Sequence, residues 1–350
     1  MIHIELEQIQ QVLDYFEISP KALAFNIFTD IQEERKGEKA VRLISCARLA
    51  DGRRMILRFL NERHFIVDVS KLRLSTQTLE KQAIFSELLR EKGMNVPKKY
   101  QKYGHFCMPL VIDGIPLDGM VEDYIGEPLQ AFTTGLFYDY GRLLGQMHDI
   151  SMKYQAHIDF SIVFQEVAEN RTDYKMLLKD TDMGKLPKET MQAIIGLHDQ
   201  KKDEIVRLWP ELPRSAVQGD IYSCNNVSWT ENGIGFYDFN IAADEVLLGD
   251  LLHLWFRTVY DISNEEEVSG WDLEWCWKQY MKGYREYRKL TEKERRAFPA
   301  VYSLLGSIYM TRYVAELLRQ ERYEDAVRQF EEVKKLLESD GGNLWMGEIE

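Results

Sequence analysis

Strand-like text fills the first third of the chain and helical text most of the rest. This segregation limits the fold more than any other feature. Ala22 to Phe28, Ala40 to Leu49 and Arg53 to Leu60 read as strands, and Asp51-Gly52 is a tight-hairpin signal between the last two. An amphipathic helix precedes them, because Ile4, Leu6, Ile9, Val12, Leu13 and Phe16 recur at helical spacing. A helix from about Thr78 to Lys92, closed by Gly93, and an extended stretch ending at Val121-Glu122-Asp123-Tyr124 complete this part. After Gly126, Leu136 to His148, Lys188 to Leu208, Leu247 to Tyr260, Trp271 to Tyr287 and Arg295 to Leu337 read as helical, interrupted by a short β element from Asn226 to Phe239. The pattern is α+β with two unequal lobes.

With 350 residues, the chain is long enough for two domains and a large core. Its net charge of −13 and its lack of a basic stripe argue against nucleic acid as a partner. The same balance mildly favours a cationic ligand. No apolar run approaches the roughly 18 residues a membrane helix needs, so no membrane partner is expected. Met1 to Ile18 has no basic start, so a secretory leader is not expected. Cys46, Cys107, Cys224 and Cys276 are scattered and form no CxxC pair, which fits a reducing cytoplasm rather than zinc or a disulfide framework.

The chemistry concentrates in Val217-Gln218-Gly219-Asp220-Ile221-Tyr222-Ser223-Cys224-Asn225, followed by a hairpin that runs to Tyr237-Asp238-Phe239-Asn240. Asn232-Gly233 is the expected turn centre, which pairs Val227 with Asp238 and Asn225 with Asn240. Side-chain alternation then puts Asn225, Val227 and Asp238 on one face, with Asp220 able to reach the same space. Two carboxylates and an amide oxygen suit magnesium and phosphoryl transfer.

This segment resembles the aminoglycoside phosphotransferase and choline kinase superfamily, whose signature is His-Gly-Asp, four residues and Asn, then a hairpin ending in Asp. Further landmarks follow in order: Glu80 in a helix, Glu122-Asp123-Tyr124-Ile125-Gly126 as a hinge, Gly141 to His148, and Gly249-Asp250-Leu251-Leu252. The resemblance implies a bilobal protein-kinase-like fold. Residues 1–121 would form a β-rich nucleotide-binding lobe, 122–126 a hinge, and 127–350 a helical lobe with the catalytic loop and substrate pocket. It implies that Asp220 orients or deprotonates the attacking hydroxyl and that Asn225 and Asp238 hold Mg2+. Arg58 would grip the phosphates with Glu80 as its ion-pair partner. The backbone of Glu122, Asp123, Tyr124 and Ile125 would hold the adenine of ATP, or the base of GTP. Asp250 would accept hydrogen bonds from the catalytic loop.

Gln218 and Arg58 depart from the family's usual His and Lys, and Asn240 from its Gly or Ser. The expected nucleotide loop, Thr29 to Lys39, has Gly37 as its one glycine and four acidic residues, where a phosphate cradle usually wants glycines and exposed amides. The expected function is therefore a magnesium-dependent kinase of a small hydroxyl compound. The alternative is a nucleotide-binding protein of the same fold with a regulatory or scaffolding role. His148 and the tryptophans Trp271, Trp275 and Trp277 read as packing residues, and Asn264 to Glu267 as a solvated helix start.

Overall fold

The computed structural model describes residues 2–35, 38–61, 75–158, 183–261 and 268–339. Contacts divide the chain into two units. The first comprises Met1–Pro128, His157–Phe160 and Asn226–Ala242, and the second comprises Leu129–Ala156, Ser161–Asn225 and Ala243–Glu350.

In the first unit, helix α1 (Leu6–Tyr15) precedes strands β1 (Ala22–Arg35), β2 (Glu38–Leu49) and β3 (Arg54–Leu60). Gly52, at φ +88, makes the β2–β3 turn where Asp51-Gly52 signalled it. Helix α2 (Thr76–Glu91) follows, capped by Ser75, whose hydroxyl accepts from Thr78 N–H at 3.1 Å. Strands β4 (Met108–Ile112) and β5 (Ile115–Asp123) close an antiparallel sheet in the order β1-β2-β3-β5-β4. The nucleotide loop expected over residues 29–39 is mostly strand: the β1–β2 ladder continues through Glu33↔Ala40 and Glu34↔Lys39 to Arg35↔Glu38. Polar text on an exposed edge strand lacks the apolar alternation that marks a half-buried one. Gly37 lies outside the described residues, as does the acidic run from 264 to 267.

The central strand β3 is covered on both faces. Met55, Leu57 and Phe59 pack with Ile9, Val12 and Leu13 of α1, while Leu60 packs with Leu79 and Ala83 of α2. Truncating Phe59 to Ala would cost roughly 3–5 kcal/mol. Gly119 of β5 permits the close approach of α1, since a Cβ there would lie 3.1 Å from Val12 Cγ2.

The second unit holds α3 (Leu136–Lys153), α4 (Lys188–Leu208), α5 (Leu247–Val259), α6 (Leu273–Arg285), α7 (Glu292–Arg319) and α8 (Tyr323–Glu338). It also contains a two-stranded ladder, β6 (Arg214–Val217) with a strand over Ala243–Val246. Helices α3 and α6 meet backbone to backbone. A Cβ on Gly141, Gly145 or Gly283 would collide with a carbonyl of the facing helix. A buried polar chain ties the helices together. His148 of α3 bonds Asp250 of α5 at 3.0 Å and Tyr284 of α6 at 2.9 Å. Arg288 donates to Tyr284 Oη at 2.6 Å and to both carboxylate oxygens of Glu294 in α7. His148 is thus a packing residue, as expected. Asp250 bonds it rather than the catalytic loop. Trp277 is fully buried, whereas Trp275 is 44% exposed. Among the described residues, no helix is long and apolar enough to cross a membrane.

Candidate active site

In the second unit, β6 delivers the chain into the loop Gly219–Asn225. Gly219 turns at φ +80, and Gln218, standing where the family has His, accepts from Asp220 N–H at 2.7 Å. Asn225 Nδ2 donates to Asp220 O at 2.8 Å, so the residue is fixed from both sides by its own loop. The loop is in turn anchored to helices. Thr258 Oγ1 of α5 accepts from Ser223 N–H at 3.0 Å, and Tyr140 Oη of α3 donates to Ser223 O. Ser223 takes a left-handed φ of +44, a conformation that such anchoring must hold in place.

In the first unit, β7 (Val227–Thr230) pairs with β8 (Gly233–Phe236). The register is Thr230↔Gly233 and Val227↔Phe236, so the turn is centred on residues 231–232, not on Asn232-Gly233. Gly233, at φ +93, ends the turn instead of forming its middle. The pairing therefore moves by two residues from the one expected, which leaves each side chain on its expected face. Asp238 follows at φ +60, a sparsely populated conformation for a non-glycine residue. Its carboxylate is gripped by two arginines. Arg58 Nη1 of β3 donates to Oδ1 at 2.6 Å, and Arg42 Nη2 of β2 donates to Oδ2 at 3.1 Å.

Arg58 also reaches Glu122 of β5, with Nη2 to Oε1 at 2.9 Å, and Lys99 Nζ pairs with the other oxygen of Glu122. Strand register explains the first contact. Ile56 opposes Glu122 in the β3–β5 ladder, so Arg58 is its diagonal neighbour on the same face. Burial alone would push the Glu122 carboxyl up, but Arg58 and Lys99 outweigh it and hold it at about 2. Burial likewise opposes the Arg58 charge, and Asp238 and Glu122 more than restore it. Asn240 joins the group when its amide is oriented by its hydrogen bonds: its oxygen then accepts from Arg42 Nη2 at 2.7 Å.

Glu80 is not part of this group. Its carboxylate accepts the backbone N–H groups of Phe106 and Cys107 at 2.9 Å, and the expected pair with Arg58 is not formed. The helix explains why. Two residues of α-helix rotate a side chain by about 200°, and the face turned toward the Asp238 segment carries Gln82. Gln82 Nε2 donates to Asn240 O and Ala242 O, each at 3.0 Å.

A cavity of about 250 Å3 opens beside the charge network, lined by Arg58, Asp238 and Glu122, Asp123, Tyr124 and Ile125, the residues expected as a hinge. Ile44 and Ile56 supply apolar wall from β2 and β3. The volume is below the ~300–1,000 Å3 of a whole small-ligand site, and so suits a base more than an entire nucleotide. Two backbone N–H groups of this segment are used within the unit, Asp123 N–H on Lys98 O at 2.9 Å and Tyr124 N–H on Arg54 O at 3.2 Å. The Arg54 guanidinium stacks 3.7 Å from the Tyr124 ring centre.

Each expected metal donor has suitable chemistry within its own unit, a carboxylate on Asp238 and an amide oxygen on Asn225, both hard oxygen donors of the kind magnesium takes. Anchoring of Asn225 Nδ2 leaves its Oδ1 as the donor atom. Among the described residues there is no cluster of three or more His, Cys, Asp or Glu placed to hold a metal by itself. Arg42, Lys99 and Gln82 escaped the sequence reading, and Asn240 stood out there only as a departure from the family's Gly or Ser. Arg42 carried the one available signal, a cation on the strand face opposite buried Val41 and Leu43.

A model of the phosphotransferase enzyme family matches residues 46–290. Among solved structures, a microcompartment-associated aminopropanol kinase aligns over 99% of both chains with a TM-score of 0.58 at 13% identity. Amicoumacin kinase, solved with AMP-PNP and Ca2+, aligns over 95% of this chain and 94% of its own, with a TM-score of 0.58 and 14% identity. Spectinomycin phosphotransferase, in complex with ADP and spectinomycin, covers 97% and 99% with a TM-score of 0.53 and 13% identity. At such identities the likeness speaks for the fold, which is kinase-like. An uncharacterised protein of Deinococcus radiodurans is 29% identical over 101 residues, a match spanning 29% of this chain and 28% of that protein's length. With most of its length matched by the family model, the chain belongs to the phosphotransferase enzyme family.

Proposed function

We propose that the chain transfers the γ-phosphoryl group of ATP, or of GTP, to a hydroxyl of a small molecule in a magnesium-dependent reaction. The observation that carries this reading is the hinge-lined cavity ending on a buried cation, Arg58, held against Asp238. Three cations, Arg42, Arg58 and Lys99, meet two carboxylates, Asp238 and Glu122, in that group. Buried cations beside the cavity suit a polyphosphate.

In this reading the base lies between Ile44 and Ile56, against residues 122–125. Arg58, with Arg42, grips phosphate oxygens. Asp220 orients the acceptor hydroxyl and takes its proton as the new P–O bond forms and the bond to the ADP oxygen breaks. Magnesium held by Asn225 and Asp238 would supply neutralisation of the charge that develops on the phosphates.

The test is phosphoryl transfer from ATP to a panel of hydroxyl compounds, followed by phosphorus NMR, in wild type and Asp220→Asn. Loss of transfer by roughly 100-fold or more in the variant is expected, and an undiminished rate would remove Asp220 from the mechanism. A second reading, nucleotide binding without catalysis, is favoured by the double arginine grip on Asp238. Saturable nucleotide binding with no phosphorylated product would select it.

A further inference from the structure

The loop bearing Asp220 has cationic neighbours that the nucleotide reading does not use. Arg257 of α5 donates through Nη2 to Tyr222 Oη at 3.1 Å, and its guanidinium carbon lies 4.4 Å from that ring's centre. One turn earlier on α5, His253 Nδ1 bonds the hydroxyl of Tyr309 in α7. One turn after Tyr309, the Arg312 guanidinium lies 5.4 Å from the Tyr309 ring centre. Tyr222, Arg257, His253, Tyr309 and Arg312 therefore form one continuous cluster in the second unit. The carboxylate of Asp220 is near enough to bear on the Tyr309 phenol.

Both arginines are half-buried, yet neither has a carboxylate within ion-pair distance among the described residues. Asp261 adds a favourable charge interaction to Arg257. Elsewhere in the same unit, half-buried arginines are paired: Arg288 forks onto Glu294 at 2.7 and 2.8 Å, and Arg322 meets Asp325 at 2.7 Å. In place of a carboxylate fork these guanidiniums meet the Tyr222 and Tyr309 rings, and an oxyanion seated beside them would add a direct charge pair. The planar fork of arginine matches carboxylate and phosphate bidentately, and the tyrosine hydroxyls add further polar contacts.

We propose that Arg257 and Arg312 seat an oxyanion of the phosphoryl acceptor, so that the hydroxyl compound presented to Asp220 carries a carboxylate or a phosphate group. This deepens the phosphotransferase reading and rests on it. It also reverses the preference for a cation that overall charge suggests.

The experiment compares magnesium–ATP turnover with acceptors matched in shape and differing in charge: glycerate and glycerol phosphate against glycerol and choline. The anionic compounds should exceed the others in kcat/KM by roughly ten- to a hundredfold, as expected for charged hydrogen bonds. Arg257→Gln and Arg312→Gln should each shrink that ratio by raising the acceptor KM rather than lowering kcat, and Arg257→Lys should retain much of it. The ranking of glycerate against glycerol phosphate separates the two anions. Preference for choline or glycerol, or a ratio unchanged in both glutamine variants, overturns the proposal. If no acceptor is turned over, the phosphotransferase reading fails on its own. The seat is then read by calorimetric titration of inorganic phosphate into the intact protein: binding weakened about tenfold in the glutamine variants supports it, and no binding or no difference overturns it.

Discussion

Replacing Glu122 by Gln should be among the most damaging isosteric changes in the first unit. Its carboxylate is 3% exposed and lies between the guanidinium of Arg58 and the ammonium of Lys99. The amide keeps the shape but strands two buried cations, a change that typically costs about 3–5 kcal/mol. The depressed pKa, set by the same two cations, points the same way. The carboxyl falls from 4.5 to about 2 on folding, and at about 1.4 kcal/mol per pH unit this corresponds to roughly 3 kcal/mol. For a unit of roughly 150 residues, each kcal/mol moves the melting midpoint by about 2–4 °C, so a fall of about 6–20 °C is expected by circular dichroism at neutral pH. The sign with pH follows from the depressed value. The stabilisation is fully present above pH 4.5 and is lost as pH falls toward 2, so the gap between wild type and variant should narrow on acidification. A fall below 2 °C, or a gap that is unchanged from neutral pH down to pH 3, would refute the buried-pair account.

Gly141→Val should destabilise the second unit by at least 1–3 kcal/mol in a urea titration, because its Cβ would collide with Tyr280 O; an unchanged midpoint would mean that α3 and α6 are not in backbone contact. His253 is fully buried and its pKa is pulled to about 3, first by burial and then by Arg257 and Arg312. It should stay neutral in the fold while the unfolded chain takes up a proton below about pH 6.5. Wild-type stability should therefore decline through this window more steeply than that of His253→Phe, and parallel declines in denaturant midpoints would refute this. Gln82→Leu should cost about 1–3 kcal/mol by leaving the carbonyls of Asn240 and Ala242 unpaired, and a melting curve identical to wild type would refute those bonds.

Local chemistry made part of this molecule legible. Asp51-Gly52 gave its turn, α2 ends just short of Gly93, and α4 runs over the expected Lys188–Leu208. The four-residue strands β6 and Ala243–Val246 were missed because so short a run carries no period. The β1–β2 extension was missed because an exposed polar edge strand looks like loop text. Arg58, Asp238 and residues 122–125, expected from the family resemblance, share one cavity lining. Arg42 and Asp238 are 196 residues apart in sequence, and Arg58 and Asp238 are 180 apart. Pairings of that kind depend on strand register and closure, which no local pattern encodes. Glu80 was misread because any helical glutamate suits an ion pair in text, whereas the helical face decides which residue meets the Asp238 segment.

The most direct measurement is a crystal structure of the protein with a non-hydrolysable ATP analogue and magnesium. It should place the base between Ile44 and Ile56 against the hinge, the phosphates on Arg58, and the metal on Asp238 with the Arg42 contact released. A nucleotide bound elsewhere, with both arginines still closed on Asp238, would contradict the assignment of this cavity as the phosphoryl donor's site.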